Sequence, residues 1–460
     1  MAIVKTDSVH YSNIAAKIRE KTGEATTYKP SQMTDGIEAV YEAGKGARVA
    51  VVEKDVNFYD YDGTLLYSYT LDEVQTLTEL PPLPTQDGLI CQEWNWTLDE
   101  LKALGRPMTV GATYITDDGA TRLHLDIPKD ARKTVPLYFS QSVANGVTIN
   151  WGDGSATETV SGTGYVSTSH TYATGGEYTI SLMPLDNCNI VLGNNTDTSV
   201  IGAMNTDADR YKGALLASAN IGKNVTLGKL AFCRSVALTR ISMPSTTVMG
   251  TAKNAASCFD SCPSLRFVVI SRANTFLGLG MFADTKALFL VSIPPTVLGI
   301  ANENFLAYSS ALMRVDFPNS IEVIGWNALR ACLSLVQINK ASSTRIDESA
   351  FKDSFSLKRA VIGEGQKSIF QTFNGCHSLS EVDIPSTITS IGSNAFYNCY
   401  GMTKYDFTKL KAVPTLSNTN AFNGIQADCI IVVPDNLLTA WKAATNWSTY
   451  ASYIKGASEV

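Results

Sequence analysis

The sequence predicts a mainly β, modular protein whose C-terminal half is a solenoid of stacked short units. Three observations carry that prediction. The first is internal repetition: aligning Phe232, Phe259, Phe282, Leu306, Leu329, Phe351, Phe373, Phe396 and Phe422 as position zero gives spacings of 22 to 27 residues, a period that marks solenoid architectures. The second is an apolar alternation at +9 and +11 of each unit, as in Val315 and Phe317 or Val382 and Ile384, which is the period of a short strand with one face inward. The third lies upstream, where residues 134–183 read as strands separated by polar turns.

Each unit is too small to bury its own apolar side, so stacked copies must share one core. Position +6 is Leu in seven copies, from Leu238 to Leu379, and Met402 in the eighth. Pro follows the strand at Pro244, Pro294, Pro318 and Pro385 and ends its pairing. A second apolar pair, such as Ile388 and Ile391, precedes Gly392. Position +3 is Cys at Cys262, Cys332, Cys376 and Cys399, read as a small buried hydrophobe because nothing cationic sits beside it to activate a thiol. A solenoid needs its ends covered. Leu437, Leu438, Trp441 and Ala444 share one helical face and predict a helical C-terminal cap, while 185–228 would hold a degenerate first unit.

The run Phe373-Asn374-Gly375-Cys376-His377-Ser378-Leu379, then Val382-Asp383-Ile384-Pro385 and Ile391-Gly392, resembles the BspA-like leucine-rich repeats of bacterial surface and phage-encoded proteins. The resemblance covers 185–460 and implies a β-solenoid used for adhesion or as a scaffold, not for catalysis. Upstream, Trp151-Gly152-Asp153-Gly154-Ser155 and His170-Thr171-Tyr172 with Gly176-Glu177-Tyr178 resemble a polycystic-kidney-disease (PKD) domain, an immunoglobulin-like sandwich, assigned to 121–184. No strand is legible before Arg122. Asp153 could serve as a calcium ligand, but no carboxylate cluster accompanies it, and a carboxylate capping its own turn explains it.

Residues 1–47 predict two short helices, one over 11–22 stopped by Gly23 and one from Ser31 carrying Met33, Ile37, Val40 and Tyr41. The phrases 12–23 and 28–33 resemble the N-termini of tail proteins of phages that infect Gram-positive bacteria. Residues 48–120 form a small β module. Within it, 54–118 is similar to a module beside that N-terminus in phage and prophage proteins of gut Firmicutes. Its run Phe58-Tyr59-Asp60-Tyr61-Asp62-Gly63-Thr64-Leu65 also fits the first motif of haloacid-dehalogenase-type phosphatases, with Asp60 as nucleophile, Asp62 handling the leaving-group proton and Asp117-Asp118 as the further acidic pair. That chemistry needs repeated βα units for which the stretch is too short. An Asp-Gly hairpin between 56–59 and 65–69 explains the same letters.

Bulk properties narrow the function classes. Hydrophobic residues make up 45% and charged residues 17%, so a packed core is expected. A net charge of −6 without a basic run argues against nucleic acid. No apolar stretch approaches the roughly 20 residues of a membrane span, and Met1–Asp7 lacks the basic head of a secretory signal, which predicts assembly in the cytoplasm. Nine cysteines and four scattered histidines give neither a disulfide framework nor a zinc spacing, and no metal or cofactor is expected.

The expectation is a non-enzymatic structural and binding protein of a phage tail, an appendage or receptor-binding component. A bacterial cell-surface adhesin of the same architecture is the alternative and a phosphatase the distant one. Expected partners are other tail proteins through the N-terminal segment, a host surface protein or glycan, and further copies of the chain. Strand positions +8 and +10 should point away from the core, because +9 and +11 point in. The early ladder is apolar at Phe267, Val269 and Leu290, which predicts a contact with the sandwich, another copy or a tail neighbour. The later ladder is charged at Arg314, Asp316, Arg359, Glu381, Asp383 and Lys404 and is the candidate ligand face, unless it is simply solvated.

Overall fold

The computed structural model describes residues 51–129, 133–193, 198–203, 212–249, 257–300 and 303–460. The helices expected within 1–47 lie outside these residues. Residues 55–460 form one compact unit, and 51–54 are the described end of another.

That unit begins with four strands: β1 (Val56–Tyr59), β2 (Leu65–Tyr69), β3 (Leu89–Trp94) and β4 (Met108–Thr116). They lie in the order β2-β1-β4-β3. β1 and β2 pair antiparallel across the Asp60–Thr64 turn, where Gly63 takes a left-handed φ of 88°, so the hairpin is the local structure of this segment. Helices α1 (Leu71–Thr76) and α2 (Leu98–Leu104) each open with a Thr–Glu capping box, at Thr70 and Thr97. Phe58, Trp94, Trp96, Leu101 and Tyr114 fill the module's core.

Two facing sheets follow. β5 (Thr121–Ile127), β7 (Val147–Asn150), β8 (Glu158–Thr159) and β10 (Gly176–Pro184) belong to one. The other holds β6 (Thr134–Gln141), β9 (Gly164–Thr171) and β11 (Ile190–Leu192). β5 starts at Thr121, in a stretch that sequence reading left without a strand. Leu123, Leu125 and Ile127 face inward, while Arg122, His124 and Asp126 do not.

Both sheets run on into the repeats. β5 pairs with Leu216–Asn220, which pairs in parallel with Arg240–Ser242. β11 pairs in parallel with Val225–Leu227, which pairs with Val248–Met249. One apolar core therefore extends without a break from Leu123 to Ile454. The antiparallel pairs satisfy the strand edges that the first solenoid turn would otherwise leave open.

The solenoid carries two parallel ladders. One consists of +8 to +10 strands such as Phe267–Val269, Leu290–Ser292, Arg314–Asp316, Arg359–Val361 and Glu381–Asp383, paired in register. The other consists of two-residue strands such as Arg345–Ile346, Ser368–Ile369 and Ser390–Ile391. Position zero is a stacking column, with ring centroids 5.6 Å apart for Phe232–Phe259 and 5.5 Å for Phe373–Phe396. Each zero amide donates to the carbonyl just before the next zero residue, as in Phe232 N to Cys258 O at 2.8 Å and Phe396 N to Ala421 O at 2.8 Å.

Position +3 does more than fill space. The Cys262, Cys332, Cys376 and Cys399 thiols donate to the zero-position carbonyls of Phe232, Leu306, Phe351 and Phe373 at 2.9, 3.2, 3.1 and 3.1 Å. Ser309 and Ser354 make the same bond with hydroxyls, to Phe282 and Leu329. The position selects a small donor that ties one turn to the turn before it. All nine thiols are free, and burial pushes that of Cys332 up to about 12.

At the C-terminal end, α3 (Leu438–Ala443) brings Trp441 to 5.6 Å from Phe407, and Trp447 stands 5.5 Å from Phe422. A last strand, Ile454–Gly456, pairs with Ile430–Val433.

Candidate functional site

The long ladder is the surface on which the predicted site residues lie, and the structure divides it. Phe267, Val269 and Leu290 are buried against Tyr59 and Leu65, with Phe289 beside them. Their neighbour is thus the chain's own small β module, rather than the sandwich or a second copy. The approach is close: a Cβ on Gly111 of β4 would stand 2.5 Å from Val269 Cγ2.

Polar groups fix the register of this contact. Asn95 is fully buried; its Nδ2 donates to Ile270 O at 3.0 Å and Ser292 Oγ at 2.9 Å. Trp96 Nε1 donates to Ile293 O at 3.0 Å. Both Glu100 carboxylate oxygens accept from Arg272, at 2.7 and 2.9 Å, in the two-pronged geometry that makes such pairs strong. Tyr114 N donates to Met243 O at 3.0 Å, which extends the contact one strand toward the sandwich.

Arg314 and Asp316 belong to this covered part. Asp316 is fully buried and accepts from Thr109 Oγ1 at 2.5 Å, Asn339 Nδ2 at 2.6 Å and Arg314 Nε at 3.1 Å. Arg314 Nη2 also donates to Thr109 Oγ1 at 3.1 Å. Arg106 reaches over from the module to Phe317 O and Asn319 Oδ1. These two residues, expected to meet an outside ligand, are occupied from within, and that expectation is corrected on this physical ground.

Arg359, Glu381, Asp383 and Lys404 remain open. Arg359 Nε lies 3.1 Å from Glu381 Oε1, across adjacent strands. Lys404 Nζ lies 3.2 Å from Asp406 Oδ2, and Lys409 bonds Asp383. Together they line a hollow of about 320 Å³. Exposed pairs of this kind contribute little to stability, about 0–1 kcal/mol each, so their charges are free to re-pair with a polar partner at small cost. Asp406 is the +10 partner of Lys404 on the ladder, whereas Lys409 and Lys340 were missed by sequence reasoning. Lys409 lies beyond the +8/+10 pattern, and Lys340 stands just after its strand. Lys340 lines an adjoining hollow of about 470 Å³, where burial lowers its amine to about 8.

The other candidate residues sit elsewhere. Asp60 is buried and accepts from Tyr114 Oη at 2.6 Å, Tyr61 N at 2.8 Å and Gln86 Nε2 at 2.5 Å. Asp117 and Asp118 pair with Arg122 at 2.7 and 2.9 Å. Asp153 accepts from Ser155 N at 3.1 Å and lies 2.7 Å from His170 Nε2, and these bonds hold its carboxyl well below the usual range. Among the described residues, no group of three or more His, Cys, Asp or Glu could hold a metal ion, and no helix is long and apolar enough to cross a membrane.

Residues 210–312, 253–372 and 344–440 match the BspA type leucine rich repeat region. No curated protein matches the chain. Among solved structures, a Treponema pallidum leucine-rich-repeat protein is 23% identical, covering 41% of this chain and 84% of its own, with a TM-score of 0.31. A leucine-rich-repeat protein from Bacteroides ovatus is 18% identical, covering 62% and 90%, with a TM-score of 0.34. A leucine rich cell surface protein from Faecalibacterium prausnitzii is 18% identical, covering 50% and 76%, with a TM-score of 0.29.

Proposed function

Because this chain belongs to the BspA-type leucine-rich-repeat family, we propose that it is a non-enzymatic binding protein that works at a bacterial cell surface, as an adhesin. The solenoid is the binding element. The PKD-type sandwich at one end and residues 434–460 at the other serve as its covers, and the small β module braces the first turns. The observation that carries the reading is the division of the ladder. Its apolar part is sealed by the chain itself, while Arg359, Glu381, Asp383 and Lys404 stay exposed around a polar hollow. The motif at Asp60 is a turn with its carboxylate fully engaged by donors, and it supplies no nucleophile in this reading.

A second carriage is a phage tail, with the same solenoid presented to a host. The likeness of 12–33 and 54–118 to tail-associated proteins favours it. In both cases the ligand is met on the open ladder. The test replaces Arg359, Glu381, Asp383 and Lys404 together with Ala and measures binding to bacterial cells and isolated cell-wall material. Loss of binding by the folded variant is expected, and undiminished binding would remove this face. Antibody labelling of intact producing cells against purified phage particles separates the two carriages.

A further inference from the structure

The short ladder carries a groove that the reading above does not use. It has a volume of about 560 Å³ and is lined by Trp326, Phe370, Arg345, Asp347, Glu348 and Lys367, among others. Five of the six tryptophans are buried, whereas Trp326 is 44% exposed. Its indole presents an apolar face and a polar N–H beside charged groups.

The repeat sets the aromatic spacing. Trp326, Glu348 and Phe370 hold the same place in successive units, as the backbone bonds Asn304 N to Trp326 O, Asn327 N to Glu348 O and Ser349 N to Phe370 O show. Two turns therefore separate the rings, about 10 Å at roughly 4.8 Å per strand. Phe370 lies over Gly392, where a Cβ would stand 2.3 Å from its Cδ2. The bare glycine lets the ring lie back on the next turn.

The polar groups are open in both senses of hydrogen bonding. Among the described residues no donor reaches the half-buried Asp347 carboxylate. Its carboxyl is raised by burial, an effect that Arg345 partly offsets. Asp347 and Glu348 offer acceptors, while Arg345, Lys367 and the Trp326 indole N–H offer donors. The formal charges of these four ionisable residues cancel.

We propose that this groove binds a neutral oligosaccharide of pyranose rings. The apolar C–H face of a sugar ring stacks on Trp326, and its hydroxyls bond the Asp347 and Glu348 carboxylates and the Arg345 and Lys367 cations. The other ligand classes fit less well. A phosphate or nucleotide would meet two carboxylates. A quaternary ammonium would meet the cations Arg345 and Lys367. An acyl chain would leave all four ionised groups without water. The site is separate from the charged ladder and does not depend on its role.

The test titrates the full chain with cellohexaose, chitohexaose and maltohexaose, following tryptophan fluorescence and calorimetry. Because Trp326 is the exposed indole, saturable fluorescence change is expected with at least one sugar. Trp326→Ala should weaken binding by about tenfold or more, Trp326→Phe should retain part of it, and Asp347→Asn should weaken it at unchanged melting temperature. The Arg359/Glu381/Asp383/Lys404 alanine variant should bind sugar like the wild type, so that failure of the ladder and failure of the groove are told apart. Absence of binding by all three sugars would overturn the proposal. So would sugar binding that survives Trp326→Ala, or saturable binding of inorganic phosphate or tetramethylammonium in place of sugar.

Discussion

Phe267 and Arg359 occupy the same +8 position of the same ladder, yet one is buried beneath the β module and the other is more than half exposed. The backbone treats them alike: both begin three-residue parallel strands paired in register with the next turn. What differs is the side-chain chemistry and, with it, what lies on top. An apolar face on a repeat needs a cover, and this chain supplies one from a segment that precedes it by some 200 residues. A charged face needs none and stays available. The solenoid thus keeps one stack throughout, and each turn's outer residues decide whether its face is covered or open.

The sharpest way to break this comparison is to truncate both members. Phe267→Ala should cost about 3–5 kcal/mol, as for other buried Phe truncations, because it empties the contact with Tyr59 and leaves the module poorly seated. Arg359→Ala should stay within about 0.5 kcal/mol, as exposed substitutions do. Urea unfolding measures both. Equal losses would mean that the covered and open halves are not physically distinct.

A smaller effect tests what the two halves share, the donor at +3. Cys376 is fully buried and bonds Phe351 O at 3.1 Å. Removing a single buried hydrogen bond costs on the order of 1 kcal/mol, so Cys376→Ala should lose roughly that in thermal or chemical unfolding. Cys376→Ser should lose less, since Ser354 makes the equivalent bond at 2.7 Å. If Ser and Ala prove equally damaging, the position is about volume alone. The same experiment at Cys262, under the covered half, should give the same ranking, because the stitch lies inside the stack.

Much of this was legible in the sequence, for identifiable reasons. Positions zero, +6 and +9 recur as apolar residues, so the register and a short strand about +9 could be read directly, although the strands at 314–316 and 381–383 end before +11. The Asp-Gly hairpin at 60–64 was legible because turn chemistry is local. The docking of the module was not. Asn95 and Trp96 bond to the carbonyls of Ile270 and Ile293, and a backbone carbonyl has no sequence signature. Gly111 reads as an ordinary strand residue until Val269 is placed against it. Arg314 and Asp316 look like neighbours of Arg359 and Glu381 by every periodic criterion, and only the distant Thr109 distinguishes them. The Trp326 groove escaped because the positions around the short ladder keep their backbone place from unit to unit but not their residue type, as Trp326, Glu348 and Phe370 show.

The smallest expected effect lies at the boundary between the two halves. Lys340 donates to Ala341 O and Thr344 O, both at 3.1 Å, and burial lowers its amine to about 8, with Arg106 of the module adding repulsion and Asp383 of the open ladder opposing it. A lysine whose folded value lies below its usual 10.5 is protonated more often in the unfolded chain across that interval. The unfolded state then binds more protons, so Lys340 should make stability rise with pH from about 8 toward 10.5 and contribute no slope well below 8. The difference in unfolding free energy between wild type and Lys340→Met, followed by urea denaturation across this range, isolates that term from other titrating groups. Wild type should gain on the variant as pH rises. Arg106→Gln removes the module's charge and should move the start of the rise to higher pH, whereas Asp383→Asn should move it lower. Parallel pH profiles for wild type and Lys340→Met would show that Lys340 is as well solvated as the open ladder, and would place the boundary between covered and open surface before residue 340 rather than at it.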